Sequence, residues 1–316
     1  MNLIEYIKKI KWVEKLISHS KEISFFGMQN VSIYEIITIY TDGIQKATLS
    51  NRAAAISWRL FLGMFPFMLF FLVLLQFMPH YEFIEKYIYE SLLEHILPPN
   101  LVDTSKEYFS LRSKQIAETS KGNVFAVISF SVLTYLYFAT NGTRSLIDGL
   151  KSKTLESDKM RSASKEYIIA LIFTIFFAVL MLASLTVLYY TEIIWKLMSE
   201  INLLKDYDLS NIRLLKFAFF VLMFFIGISV LYYKGPKNKL TYREVLPGTY
   251  FTTFLFLFIS YFFGIIVTKF GQYNILYGSV GSVMILMITI YIDVILILLG
   301  YELNIAIKKA KQIETI

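Results

Sequence analysis

Arg59, Asp293 and Glu302 stand inside long apolar runs of the sequence. A charge near a bilayer centre costs about 2.5–3.5 kcal/mol on insertion scales, so it pairs or faces a cavity. Arg59 follows Ala53 by six residues, about 9 Å along a helix rising 1.5 Å per residue. Asp293 lies fourteen residues into a run beginning near 279 that travels the other way. That leaves it roughly 10 Å from the same face of a core about 30 Å thick. The two depths agree, so a bridge between the first and last runs is geometrically open, and a coupled loss of stability is expected when both are neutralised. Snorkelling of Arg59 to the headgroups competes equally. Glu302 sits near the boundary, within reach of water.

Hydrolytic chemistry finds little support. A metal-dependent nuclease needs clustered histidines and carboxylates. The chain has three histidines, His19, His80 and His95, and no cysteine. His80 and His95 lack close metal spacing, and the charge pattern below puts His19 across the membrane from them. No phosphate-cradling glycine loop is present, so direct ATP use is not expected. We expect no catalytic residue, no metal and no cofactor.

The stretch Phe270–Gly281, "FGQYNILYGSVG", is uncharged between two oily runs. Gly271, Gly278 and Gly281 suit a tight connection, and Gly278 with Ser282 has small-xxx-small spacing. Tyr273 and Tyr277 suit a headgroup boundary. A packed turn is the favoured reading. The sharper one is a partly re-entrant segment whose Gln272, Asn274 and tyrosine hydroxyls line a path. Pro66 breaks the ladder of its run and is a candidate hinge, whereas Pro247 falls where proline costs little. Arg144 is a candidate contact for a lipid phosphate, with an ordinary topology-setting arginine as the simpler reading. The "NGT" at 141–143 matches a glycosylation acceptor but sits at a membrane boundary and carries no weight.

These residues need elements to hold them. Of 316 residues, 56% are hydrophobic and 17% charged, against roughly 45–50% and about 25% in soluble domains. Six apolar runs, near 53–78, 122–141, 166–190, 212–233, 244–269 and 279–307, are long enough to cross a hydrocarbon core. None alternates as a barrel strand would, and lipid admits only helices or closed barrels. The fold class is all-α, a polytopic membrane protein of six transmembrane helices. Twenty lysines and arginines fall on the side of both termini and seven on the other. Both termini are therefore expected in the cytoplasm. Topology accounts for most of the net charge of +7, so no nucleic-acid partner is needed.

Residues 1–52 read as a cytoplasmic or interfacial helical segment, 53–307 as the membrane domain and 308–316 as a short tail. Leu3, Ile7, Ile10, Val13 and Ile17 recur at helical spacing with lysines between them, as on an anionic leaflet. Packing against the bundle is the equal alternative. The 79–121 segment reads as an extracytoplasmic helical insertion. With no long apolar run in the first fifty residues, the first span is expected to act as an uncleaved signal. Abundant Ile, Lys, Phe and Tyr suggest an AT-rich bacterial genome.

Several stretches, in order, resemble the YihY/BrkB family of bacterial inner-membrane proteins, once labelled ribonuclease BN. They are "NRAAAISWRLFLGMFPFMLFFL" (51–72), "NGTRSLIDGL" (141–150), "YREVLPGTYF" (242–251), the glycine-marked dozen, and "LLGYELN" (298–304). The resemblance implies six spans and a role in envelope integrity, with lipid or solute export among the associations. In that family's pattern the places of Arg59 and Asp293 are usually neutral, which makes any pair a local feature.

The expected function is that of an inner-membrane transporter or lipid translocase in envelope maintenance. The alternative is a non-transporting membrane scaffold of an envelope complex, and the ribonuclease reading is rejected. Membrane lipids are the expected partners. Homo-oligomers and envelope proteins stay open, as do cargo, direction and energy coupling.

Overall fold

A computed structural model describes residues 33–47, 49–75, 124–151, 162–200, 209–237, 240–270 and 274–314. The expected helix through Leu3–Ile17, the 79–121 insertion and all three histidines lie outside those residues. Among the described residues there are seven helices and no strand: α1 (Ile33–Ala47), α2 (Leu49–Leu75), α3 (Val124–Gly149), α4 (Ala163–Glu200), α5 (Leu209–Lys234), α6 (Tyr242–Phe270) and α7 (Asn274–Glu314).

Local chemistry sets several ends. α5 stops at Gly235-Pro236, where the Gly235 amide still reaches the Leu231 carbonyl (2.9 Å) and the proline cannot continue the ladder. α6 begins with a capping box. The Glu244 carboxylate accepts from the Thr241 amide (2.8 Å), and the Glu244 amide returns to the Thr241 carbonyl (3.0 Å). Asn141-Gly142 reads as a punctuating pair, yet α3 continues through it to Gly149. Gly142 is used instead for close approach to α2, its missing side chain leaving room for Leu60. The helix therefore outruns the expected span end at 141. α7 likewise begins at Asn274 rather than near 279, so Asn274, Tyr277, Gly278 and Gly281 are helical. Only Gly271, Gln272 and Tyr273 separate it from α6, and they lie outside the described residues.

Consecutive helices pack side by side from α2 to α7, and α7 returns to α2, which closes a ring. One core joins them, with Ala53 and Ile56 of α2, Leu150 after α3, Leu231 of α5, Val245 of α6 and Leu298 of α7 all buried. We call the end that carries the C-terminus basal; there α3, α5 and α7 finish and α4 and α6 start. The 41 residues of α7 span about 61 Å, roughly twice a hydrocarbon core. Its last turns carry α1, whose Ile36 and Ile39 pack on Leu303, Ile307 and Ala310.

The usual distribution of polarity is inverted. Phe130, Leu133, Leu214, Phe254 and Tyr261 are more than 60% exposed, while Thr140, Thr249, Thr252 and Asn304 are fully buried. An apolar exterior over a polar-flecked interior suits lipid, not water, as the solvent. Among the described residues, α4, α5, α6 and α7 each contain a stretch long and apolar enough to cross a membrane: Ala163–Ser184, Leu214–Lys234, Tyr242–Gly264 and Val283–Gln312. The chain is thus an all-helical, multi-pass membrane protein. α2 and α3, with 27 and 26 residues, are about 40 Å long, and their crossing belongs to the proposal below.

Candidate functional site

The densest polar chemistry lies where α5, α6 and α7 meet near the basal end. Pro247 lacks an amide proton, and the following residue, Gly248, turns its amide out of the helix to the Asn304 side-chain oxygen (2.6 Å). The Asn304 amide nitrogen donates to the Val245 carbonyl (3.1 Å). One buried side chain of α7 therefore serves both a donor and an acceptor in the first turns of α6. This is possible because Gly248 and Gly300 face each other; a Cβ on Gly248 would overlap the Gly300 carbonyl oxygen.

Next to that contact, the fully buried Tyr232 of α5 donates its hydroxyl to the Ile297 carbonyl (2.6 Å) and lies 2.7 Å from the Thr252 hydroxyl. Its ring meets that of Tyr301 at 5.6 Å. A tyrosine hydroxyl in this position ties three helices together through one oxygen.

Glu302 is placed by α7 on the side facing α1 and α2. Its carboxylate is 3.9 Å from the Arg52 guanidinium and almost wholly buried. Arg52 also donates to the carbonyls of Gly149 and Lys151 (3.0 Å to the latter). It therefore closes the C-terminal end of α3, where a cation meets the negative end of the helix dipole. Tyr40 of α1 completes the group; burial and then the Glu302 charge push its phenol up to about 12. Across the ring, Glu166 of α4 binds Lys151 (2.6 Å) and Arg144 (3.6 Å), and Lys151 also holds Asp148 (2.7 Å). Glu244 of α6 faces Lys308 of α7 at 3.8 Å. Neighbouring helices at the basal end are thus tied by charge.

The residues singled out in the sequence scatter around this seam. Glu302 belongs to it. Arg59 does not: it lies exposed on α2, on the face carrying Trp58, and no ion pair joins it to Asp293. Asp293 is half-buried one helix away. Depth along a helix axis says nothing of azimuth, which decides whether two side chains meet. Arg144 is engaged with Glu166. Pro66 is buried within α2, which runs on to Leu75 without a break. Arg52, Tyr232, Thr252 and Asn304 were not singled out. For Asn304 a signal was present: two glycines in apolar helices, Gly248 and Gly300, with the asparagine one turn after the second.

Three further hydroxyls are buried without a hydrogen-bond partner: Thr140 of α3, Ser229 of α5 and Thr253 of α6. A helical serine or threonine ordinarily turns back to the carbonyl four residues earlier, as Ser57 does to Ala53 (2.6 Å) and Thr249 to Val245 (2.9 Å). Among the described residues no group of three or more His, Cys, Asp or Glu side chains could hold a metal ion.

Residues 40–315 match the family described as virulence factor BrkB. The chain is 27% identical over 268 residues to the ribonuclease-like protein YfkH of Bacillus subtilis (strain 168), covering 83% of this chain and 91% of that protein. It is 23% identical to a UPF0761 membrane protein of Pseudoalteromonas atlantica (strain T6c / ATCC BAA-1087), over 85% of this chain and 84% of the relative. A shorter match, 32% over 79 residues, links it to the UPF0761 membrane protein PSHAa0171 of Pseudoalteromonas translucida (strain TAC 125), covering 25% of this chain and 26% of that one. No solved structure gives a significant match. The ribonuclease-like label is a misnomer within a group of membrane proteins that is not a known enzyme family. With the match covering most of its length, and a helical bundle apolar outside and flecked with polar groups within, the chain belongs to the virulence factor BrkB family of membrane proteins.

Proposed function

We propose that the protein is a translocase or transporter of amphiphilic molecules, lipids foremost, acting in maintenance of a bacterial envelope. In this reading six helices, α2 to α7, cross the inner membrane and the basal end faces the cytoplasm with both termini. The observation that carries it is the trio of partnerless buried hydroxyls on α3, α5 and α6. A buried polar group left unpaired costs about 1–3 kcal/mol. A bundle whose only task was to stand in lipid gains nothing from carrying three, whereas one that admits a polar headgroup needs such groups. The tied basal end supports the same reading, since a carrier must hold one mouth shut while the other is used.

The test is reconstitution into liposomes with fluorescent phospholipid and a membrane-impermeant quencher. Faster lipid exchange than in empty vesicles is expected, reduced when Thr140, Ser229 and Thr253 are together changed to Ala, Ala and Val. Folded protein that moves no lipid or soluble amphiphile would remove the proposal and leave the membrane scaffold as the better account.

A further inference from the structure

The turn between α5 and α6 gathers cations that no carboxylate among the described residues neutralises. Lys234, Lys237 and Arg243 lie within ten residues of one another in the chain, and no acidic side chain among the described residues pairs with any of them. The nearest carboxylate in sequence, Glu244, is committed to the Thr241 amide and faces Lys308. Where the described parts of α3 and α4 meet, the case is opposite, Arg144 and Lys151 sharing Glu166.

Two tyrosines shape the α5–α6 turn. Tyr233 and Tyr242 meet edge to face at 6.1 Å, and the Lys234 ammonium sits 4.5 Å over the Tyr233 ring. Tyr242 is 54% exposed. Rings of this kind settle where oil meets water, which puts the three cations at headgroup depth. The ring contact sets the first turn of α6, with Arg243, beside the end of α5 that carries Lys234, and Lys237 follows Lys234 by three residues.

We propose that this turn binds the phosphate of an anionic phospholipid in the leaflet the basal end faces. Lys234, Lys237 and Arg243 contact the phosphate, and Tyr242 lies along the glycerol. A guanidinium can grip two phosphate oxygens, while each ammonium acts as a point charge. The site rests on the reading of the chain as a membrane bundle with its basal end at a bilayer surface. It does not depend on translocation.

The experiment is native mass spectrometry of the full chain in detergent, titrated with short-chain phosphatidylglycerol and, as the neutral reference, phosphatidylcholine. Wild type is expected to retain phosphatidylglycerol preferentially. The variant K234S/K237S/R243S is expected to bind it about a hundredfold more weakly, close to 3 kcal/mol at 1.4 kcal/mol per tenfold. Its retention of phosphatidylcholine and its melting temperature should be unchanged. R243S alone should lose about fivefold, which keeps the test open if the triple variant melts early. Unaltered phosphatidylglycerol binding by R243S and the triple variant overturns the site. An equal loss in R59S/K165S, which removes two other exposed cations, also overturns it, because charge alone would then be responsible. Displacement of the lipid by glycerol 3-phosphate at comparable concentration overturns the assignment to a lipid.

Discussion

Glycine brings two helix pairs together in this bundle, α2 with α3 and α6 with α7, and what each glycine faces differs. On the first pair, a Cβ at Gly142 would meet the Leu60 side-chain tip at 2.9 Å, and one at Gly149 would meet the Ile56 methyl. Gly63 has only ordinary contacts, 3.6 Å from Ala139. On the second pair, Gly248 faces the Gly300 carbonyl and the Asn304 amide, and Gly300 faces Thr252 and the Tyr232 hydroxyl at 2.7 Å. The α2–α3 contact is a soft apolar fit closed at one end by Arg52. The α6–α7 contact is a polar lock in which backbone meets backbone. Side-chain tips can rotate away; a helix carbonyl cannot. Of the two contacts, the softer one can accommodate sliding of its helices.

The sharpest way to break this contrast is to add one methyl to each side. Gly248→Ala drives a Cβ into the backbone of α7 and should cost about 3 kcal/mol or more, overpacking with no rotamer escape. Gly149→Ala should change stability by less than about 1 kcal/mol, because Ile56 can move and alanine favours the helix. Fluorescence-detected melting of both purified variants checks the pair, and equal losses would erase the distinction.

Removing the lock without adding bulk should cost less. Asn304→Ala removes two buried hydrogen bonds, to the Gly248 amide and the Val245 carbonyl, for a loss of about 2 kcal/mol, while the Val245 carbonyl keeps Thr249. At the other contact, Arg52→Ala strips the carbonyls of Gly149 and Lys151 of a donor and Glu302 of its cation. A loss of about 1–2 kcal/mol is expected in the same melting assay. Arg52→Lys should recover little of it, since one ammonium does not span both carbonyls and the carboxylate.

The smallest effect tests a pairing the structure does not make. Arg59→Ala and Asp293→Asn should combine additively, within about 0.5 kcal/mol, in a double-mutant thermal cycle. A larger coupling would mean that the two charges meet in some other state of the protein.

Much of the architecture was legible in the chain. Apolar runs longer than a bilayer is thick, with no strand alternation, left helices as the solution for the backbone. The capping box at Thr241–Glu244 and the stop at Gly235-Pro236 are local rules, readable without any partner. The site was not legible in the same way. Arg59 and Asp293 were chosen because they are rare residue types at matching depth, and depth is all that a rise of 1.5 Å per residue supplies. Rotation about each axis decides whether two charges meet, and neighbours set that rotation. Arg52 lies just outside the first apolar run, so nothing in its immediate sequence marks it; its role arises where the end of α3 arrives.

By itself, then, the sequence determined that this chain is helical and made for lipid, because hydrophobic length and composition act residue by residue. Only the tertiary structure decided that α7 closes the ring on α2, that Asn304 serves the first turns of α6, and that Glu302 finds Arg52 rather than Arg59. Those choices depend on which faces of separate helices come within hydrogen-bonding distance, a relation between residues as far as 250 positions apart.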